Sequence, residues 1–314
     1  EMLRSLVGSE MCIRDRKETV YLESGYADIG AKRPVARDSI YRLYSMSKPI
    51  TATAVMILVE RGLIDLADPV CRYLPGFCGQ MVAAADGHVE KPWRDVTIQD
   101  LVNMTSGLVY DGNHLTGKQT EALFAEMIQG LDEGEGGAYG TVEIANRLGQ
   151  IPLAFQPARS WCYGTSADVA GALVEVVSGM RFGDFLEKEI FTPLEMVDTG
   201  FWVPEEKQSR LVKTYECNEG KPSVLYTGNH LGIRNAMDRR PAFESGGAGL
   251  VSTIDDYSHF AQMLLNGGSY KGKQILSPAM VRFMTGHVLS AEQQEVFERE
   301  GMAWLEGFSY GNFM

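Results

Sequence analysis

The most apolar stretch of the chain runs from Ile50 to Val59, where only Thr51 and Thr53 interrupt a series of Ala, Val, Ile, Leu and Met. A helix without a polar face is buried in the middle of a domain, so residues 48–61 are predicted as a core helix. Pro49 falls in its first turn, where a missing N–H costs nothing, and Glu60, Arg61 and Gly62 mark its stop. Apolar periodicity and capping signals predict further helices over 97–103, 119–129, 142–149, 166–178, 181–191 and 254–265, and one more opening at Ser277 and Pro278. Ser166 is placed to cap the helix 166–178 and Gly179 to end it. Pro193 stops the helix 181–191, and Thr253 with Asp256 makes a capping-box-like entry into 254–265. Strand character lies near the two ends. Residues 20–26 close in a turn at 28–30, and residues 307–314 alternate aromatic and small side chains as a strand start does. Residues 133–140, rich in Gly and Glu, read as a loop.

These elements predict an α/β (α+β) fold, an antiparallel sheet flanked by helices. Residues 17–65 and 240–314 form the α/β region, and residues 66–239 are an inserted, mostly helical region. Residues 1–16 match neither a helical stripe nor a secretory signal and are expected to be a non-native segment. The sheet is expected to be incomplete at the C-terminus, because nothing follows residues 307–314 to pair with them. The chain therefore reads as a fragment, and its localisation is not legible.

Composition narrows the function classes. Of the 314 residues 45% are hydrophobic and 22% charged, as in an ordinary globular protein. Lys and Arg number 29 against 41 Asp and Glu, a formal charge of −12, and no basic stripe is available for a phosphate backbone. Nucleic acid is not an expected partner. No apolar run reaches the ~18 residues of a membrane-spanning helix. Cys12, Cys71, Cys78, Cys162 and Cys217 lack C-x-x-C spacing and read as free thiols, although Cys71 and Cys78 could pair. His88, His114, His230, His259 and His287 are scattered, so neither a metal nor an organic cofactor is expected. The glycines of GGAG (246–249) do not have the G-x-G-x-x-G spacing of a dinucleotide loop.

The strongest chemical signal is Ser45-Met46-Ser47-Lys48, an S-x-x-K where the apolar helix begins. Residues three apart share a helix face, so the Lys48 amine can reach the Ser45 hydroxyl. Free N–H groups and the positive end of the helix dipole favour oxyanion character there, and a buried amine can lose its proton and act as a base. The spacing also arises by chance about once in a few hundred residues. Ser45 would then be only a cap and Lys48 a solvated first-turn residue. Ser47 is the rival nucleophile, but one residue from Lys48 it points elsewhere.

YRLYSMSKPITA (41–52), followed by LIDLADPV (63–70) and YLP (73–75), resembles the first motif region of the serine β-lactamase-like and penicillin-binding-protein superfamily. That superfamily includes class C β-lactamases, related carboxylesterases and D-amino-acid peptidases. VTIQDL (96–101) with TSGL (105–108), PLEM (193–196) with DTGF (198–201), and GGAGLVST (246–253) with Asp256-Tyr257 and FAQML (260–264) follow in the family's order. The likeness covers about residues 18–314. The resemblance implies Ser45 as nucleophile, Lys48 beside it and Tyr163 as third catalytic residue, since WCYGTS (161–166) matches the family's Tyr two residues before an Asn. Thr165 stands in place of that Asn as a substrate-binding position. Alternatively, Trp161 and Tyr163 merely pack against the next helix.

The family's third element, a Lys-Thr-Gly, His-x-Gly or Trp-x-Gly, is not found: Lys213-Thr214 precedes Tyr215, and His230-Leu231-Gly232 comes before the Gly-rich segment instead of after it. The resemblance implies a serine hydrolase that forms an acyl-enzyme on a small-molecule ester, amide or lactam, with the Ser45 N–H as half of the oxyanion hole. Activity on β-lactams or D-amino-acid peptides, a catalytically silent binding module on the same fold, and an inactive fragment are the alternatives.

Overall fold

The computed structural model describes residues 9–14, 19–84, 87–132, 139–216, 223–286, 289–301, 305 and 307–314. The Gly/Glu-rich loop expected at 133–140 lies almost wholly outside them, as do Cys217 and His287. Helix α1, Ser47–Glu60, is the predicted core helix. Ile50, Ala52, Ala54, Val55 and Met56 are fully buried along it, and each large aliphatic side chain so buried contributes about 1.5–3 kcal/mol. The stop works through Gly62, whose left-handed φ of 68° lets its N–H reach the Val59 carbonyl while the Leu63 N–H reaches that of Leu58.

The helices gather around α1 and α5, which pack on each other. Helix α2, Ile98–Val102, opens with a capping box in which Thr97 and Asp100 exchange hydrogen bonds. Helix α3, Leu115–Asp132, is longer than its periodicity predicts, and α4 spans Thr141–Gly149. Helix α5, Ser166–Ser178, ends at Gly179 in the left-handed region, as expected. It packs on α1, α2 and α4, and its buried Ala167, Ala170, Gly171 and Ala172 permit the close approach. Its N-terminus differs from the prediction: the cap position is Thr165, without a side-chain cap bond, and Ser166 Oγ instead pairs with Ser106 Oγ at 2.9 Å.

Three other predictions are corrected. The helix Phe182–Leu186 does not end before Pro193 but widens through a π-turn, Glu187–Phe191, and continues over Thr192–Leu194. A widened turn gives the proline ring room beside the preceding carbonyls. Residues 307–314 form no strand. Asn312 and Phe313 take φ values of 53° and 60°, which bend the chain into a turn, and the Phe313 N–H bonds the Val102 carbonyl at the end of α2. The helix Ile254–Leu265 is capped by Thr253, but the Asp256 carboxylate does not close the box. It accepts from the Asp198 N–H and the Thr199 hydroxyl.

The fold is the expected mixture of helices with short antiparallel strand pairs. Ser9–Arg14 pairs with Thr19–Ser24, and Tyr26–Asp28 with Arg33–Pro34. The pair that matters for the site is Tyr41–Arg42 with Val251–Ser252, because it brings the chain entering α1 against the Gly-rich segment. No described helix is long and apolar enough to cross a membrane. Cys71 and Cys78 are free thiols and do not pair with each other.

Candidate active site

Between the strand Tyr41–Arg42 and α1 the chain makes one tight turn, Tyr44–Met46, which carries Ser45 at its centre. Tyr44 has a φ of 46°, a left-handed conformation that costs a non-glycine residue about 1–3 kcal/mol. Surrounding contacts hold it there. The Leu43 N–H bonds the Leu250 carbonyl at 2.8 Å, the Leu250 N–H bonds Ser47 Oγ at 3.2 Å, and the Tyr257 hydroxyl bonds the Met46 carbonyl at 3.0 Å. Ser47 is thereby fixed as a buried acceptor, while Ser45 stays partly exposed.

Lys48, only 2% exposed, is the hub. Its Nζ donates to the Gly247 carbonyl at 2.9 Å and to Ser45 Oγ at 3.2 Å, and lies 3.4 Å from the Tyr110 hydroxyl. The S-x-x-K spacing thus delivers the contact it predicts. Tyr163 joins through its ring, whose centroid is 4.5 Å from Lys48 Nζ. It stands among Tyr110, Trp161 and Tyr310, at centroid distances of 6.1, 6.3 and 6.3 Å. The Trp161–Tyr163 segment thus packs in an aromatic cluster beside the lysine. Thr165 is fully buried, and its hydroxyl has no hydrogen-bond partner among the described residues.

Sequence reasoning missed Tyr110. Burial raises its hydroxyl well above the ordinary tyrosine value, with the Asp168 charge next in effect, so it remains a phenol at neutral pH. It also missed the lysine's shortest hydrogen bond, which goes to a main-chain carbonyl and leaves no side-chain signal. Only the GGAG run could have pointed there. A Cβ on Gly246 would stand 2.3 Å from the Ala167 carbonyl oxygen, and one on Gly247 would stand 2.9 Å from the Tyr110 hydroxyl. These glycines permit the close approach of the segment to α5 and the lysine.

His230-Leu231-Gly232 forms a turn in which His230 pairs with Ile233, and no strand. His230 lines a small hollow together with Tyr44, Arg42 and Asn235. A larger cleft of about 240 Å³, lined by Phe191, Trp202 and Lys207, includes none of the residues around Lys48. Among the described residues no group of His, Cys, Asp and Glu could hold a metal ion.

A serine, a buried lysine and tyrosines around one point can pass a proton from a hydroxyl nucleophile. Known proteins share this arrangement of chain. An uncharacterized protein of Mycobacterium tuberculosis is 33% identical over 285 residues, 87% of this chain and 65% of its own length. Esterase EstB of Burkholderia gladioli is 34% identical over 265 residues, 81% of this chain and 64% of the relative. The chain thus spans slightly less than two thirds of these relatives. Among solved structures, EstCE1, a hydrolase with promiscuous acyltransferase activity, superposes with a TM-score of 0.77 at 26% identity, covering 99% of this chain and 77% of its own. The fold is also that of the LovD6 mutant of simvastatin synthase from Aspergillus terreus, with a TM-score of 0.76 at 22% identity and coverage of 99% and 77%. The family model described as Beta-lactamase takes in residues 3–310, nearly the whole chain, and the chain belongs to that family.

Proposed function

We propose that this chain carries the site of a serine hydrolase that acts on a carboxylic ester or amide through an acyl-enzyme on Ser45. The observation that carries the reading is the 3.2 Å contact between Lys48 Nζ and Ser45 Oγ, at the mouth of a site in which the serine is partly exposed and the lysine buried. In the first step Ser45 Oγ bonds to the substrate carbonyl carbon, and its proton passes to Lys48 and Tyr163, which share the role of base. The Ser45 N–H meets the oxyanion as one half of its hole. Collapse breaks the bond to the alcohol or amine, which leaves with that proton. Water then attacks the ester on Ser45, gives its own proton to the same groups, and releases the acid and the free serine.

The names of two relatives, esterase EstB of Burkholderia gladioli and lovastatin esterase of Penicillium rubens, favour a carboxylic ester over a lactam. So does Thr165, which stands where β-lactam-hydrolysing members are expected to carry Asn.

The test is intact-protein mass after exposure to a fluorophosphonate, with Ser45→Ala in parallel, followed by turnover of a short nitrophenyl ester and of nitrocefin. A single adduct that disappears in the variant, with ester turnover above nitrocefin turnover, is expected. Full esterase activity in Ser45→Ala would sink the reading, and ligand binding without any adduct would favour a silent binding module.

A further inference from the structure

The geometry assigns Asp168 as a positioning residue for Lys48, acting through the turn from Ser245 to Ala248. The assignment rests on the acyl-enzyme reading above. Asp168 lies on the first turn of α5 and is 2% exposed. Among the described residues it forms no salt bridge. A carboxylate buried without a cation in contact is costly and persists only where hydrogen bonds hold it. Its Oδ1 accepts from the Ser245 hydroxyl at 2.6 Å and from the Gly247 N–H at 3.0 Å, and Ser245 Oγ accepts in turn from the Ala248 N–H at 3.1 Å. The carboxylate therefore holds the turn from Ser245 to Ala248 from the side of α5.

Gly247 is bound at both ends. Its N–H is held by Asp168, and its carbonyl accepts the shortest of the Lys48 hydrogen bonds, at 2.9 Å. Helix α1 grips the same turn through Thr51, whose hydroxyl donates to the Gly246 carbonyl at 2.7 Å. The peptide between Gly246 and Gly247 is held at its carbonyl by Thr51 and at its N–H by Asp168, and the next peptide, which carries the Gly247 carbonyl, is held at its Ala248 N–H by Ser245. Asp168 anchors both, directly at Gly247 and through the Ser245 hydroxyl. Without it the turn loosens on the α5 side, and the Nζ that the Gly247 carbonyl orients loses its aim at Ser45 Oγ.

The test is a double-mutant cycle read as the second-order rate of fluorophosphonate labelling of Ser45, with melting temperatures measured alongside. Asp168→Ala should slow labelling by about 10- to 100-fold, the penalty of a misplacement near 1 Å. In a Lys48→Ala background the same change should matter less than about twofold, since the group it positions is gone. Asp168→Asn keeps an acceptor oxygen for Ser245 and Gly247 and should stay within about threefold of the parent. If Asp168→Ala does not fold, Ser245→Ala removes one of the two bonds and should show the same dependence on Lys48 to a lesser degree.

Equal slowing in both backgrounds, or no slowing in either, would overturn the assignment and leave the acyl-enzyme reading intact. An adduct that survives Ser45→Ala would overturn both.

Discussion

Lys48 Nζ stands over the face of Tyr163, 4.5 Å from the ring centroid, so the amine meets the π-cloud of the tyrosine. The ring and the hydroxyl of Tyr163 therefore do separable work. Tyr163→Phe keeps the platform and removes the group that would carry a proton. On the proposed mechanism it should lower kcat/KM for a nitrophenyl ester by about 10²- to 10⁴-fold with little change in melting temperature. Wild-type turnover in this variant would reduce Tyr163 to a packing residue.

Tyr110 should behave differently. Its hydroxyl is held protonated by burial and lies at the long distance of 3.4 Å from Lys48. Tyr110→Phe removes one weak acceptor, and a loss below about tenfold is expected, with the shape of the pH–rate profile unchanged. A shift of that profile would mean that Tyr110 takes part in proton transfer.

Gly247→Ala is predicted to inactivate while sparing the fold. Its Cβ would stand 2.9 Å from the Tyr110 hydroxyl and 3.0 Å from Asp168 Oδ2, both inside normal contact distance. Overpacking of this kind typically costs about 1–3 kcal/mol, visible as a lowered melting temperature, and labelling of Ser45 should fall with it. Wild-type labelling in a stable Gly247→Ala protein would refute the tight approach.

The pH dependence of stability should carry a signature of Asp168. Burial is the largest influence on its carboxyl and raises it above the ordinary range, against the hydrogen bonds from Ser245 and Gly247 and the charge of Lys48. The folded protein then keeps a proton that the unfolded chain has already released. The stability from this group is full below the unfolded carboxylate value of about 3.9 and is lost as pH rises through the raised folded one. Melting curves of Asp168→Asn across that window should lack this decline, and superimposable pH profiles of variant and parent would contradict it.

Thiol chemistry gives an independent check. Burial, helped by the nearby Asp95 charge and by Cys78, pushes the Cys71 thiol up to about 11, whereas Cys78 is exposed. Alkylation at about pH 8 should mark Cys78 and leave Cys71 almost untouched, since the thiolate is the reacting species. Equal labelling of the two would show that Cys71 is less sheltered than its surroundings here imply.

What the sequence made legible follows physical range. Helix α5 ends where Gly179 says it should, and Ser45 meets Lys48, because both depend on neighbours within a turn or two. Ser166 looked like a cap for the same local reason, but Ser106, far away in the chain, took its hydroxyl. Residues 307–314 carry a strand's alternation, yet the left-handed backbone at Asn312 and Phe313 and the partner carbonyl of Val102 are facts of tertiary contact. Tyr110 and the Gly247 carbonyl joined the site in the same way, through approaches between segments that no local spacing encodes.

The left-handed Tyr44 has one more consequence, for folding. Its strained backbone is offset only by contacts such as that between Ser47 and Leu250, 203 positions apart. An incompletely folded chain has no reason to hold Ser45 in its aimed conformation, so covalent labelling of this serine becomes a count of the molecules in which both distant segments have docked.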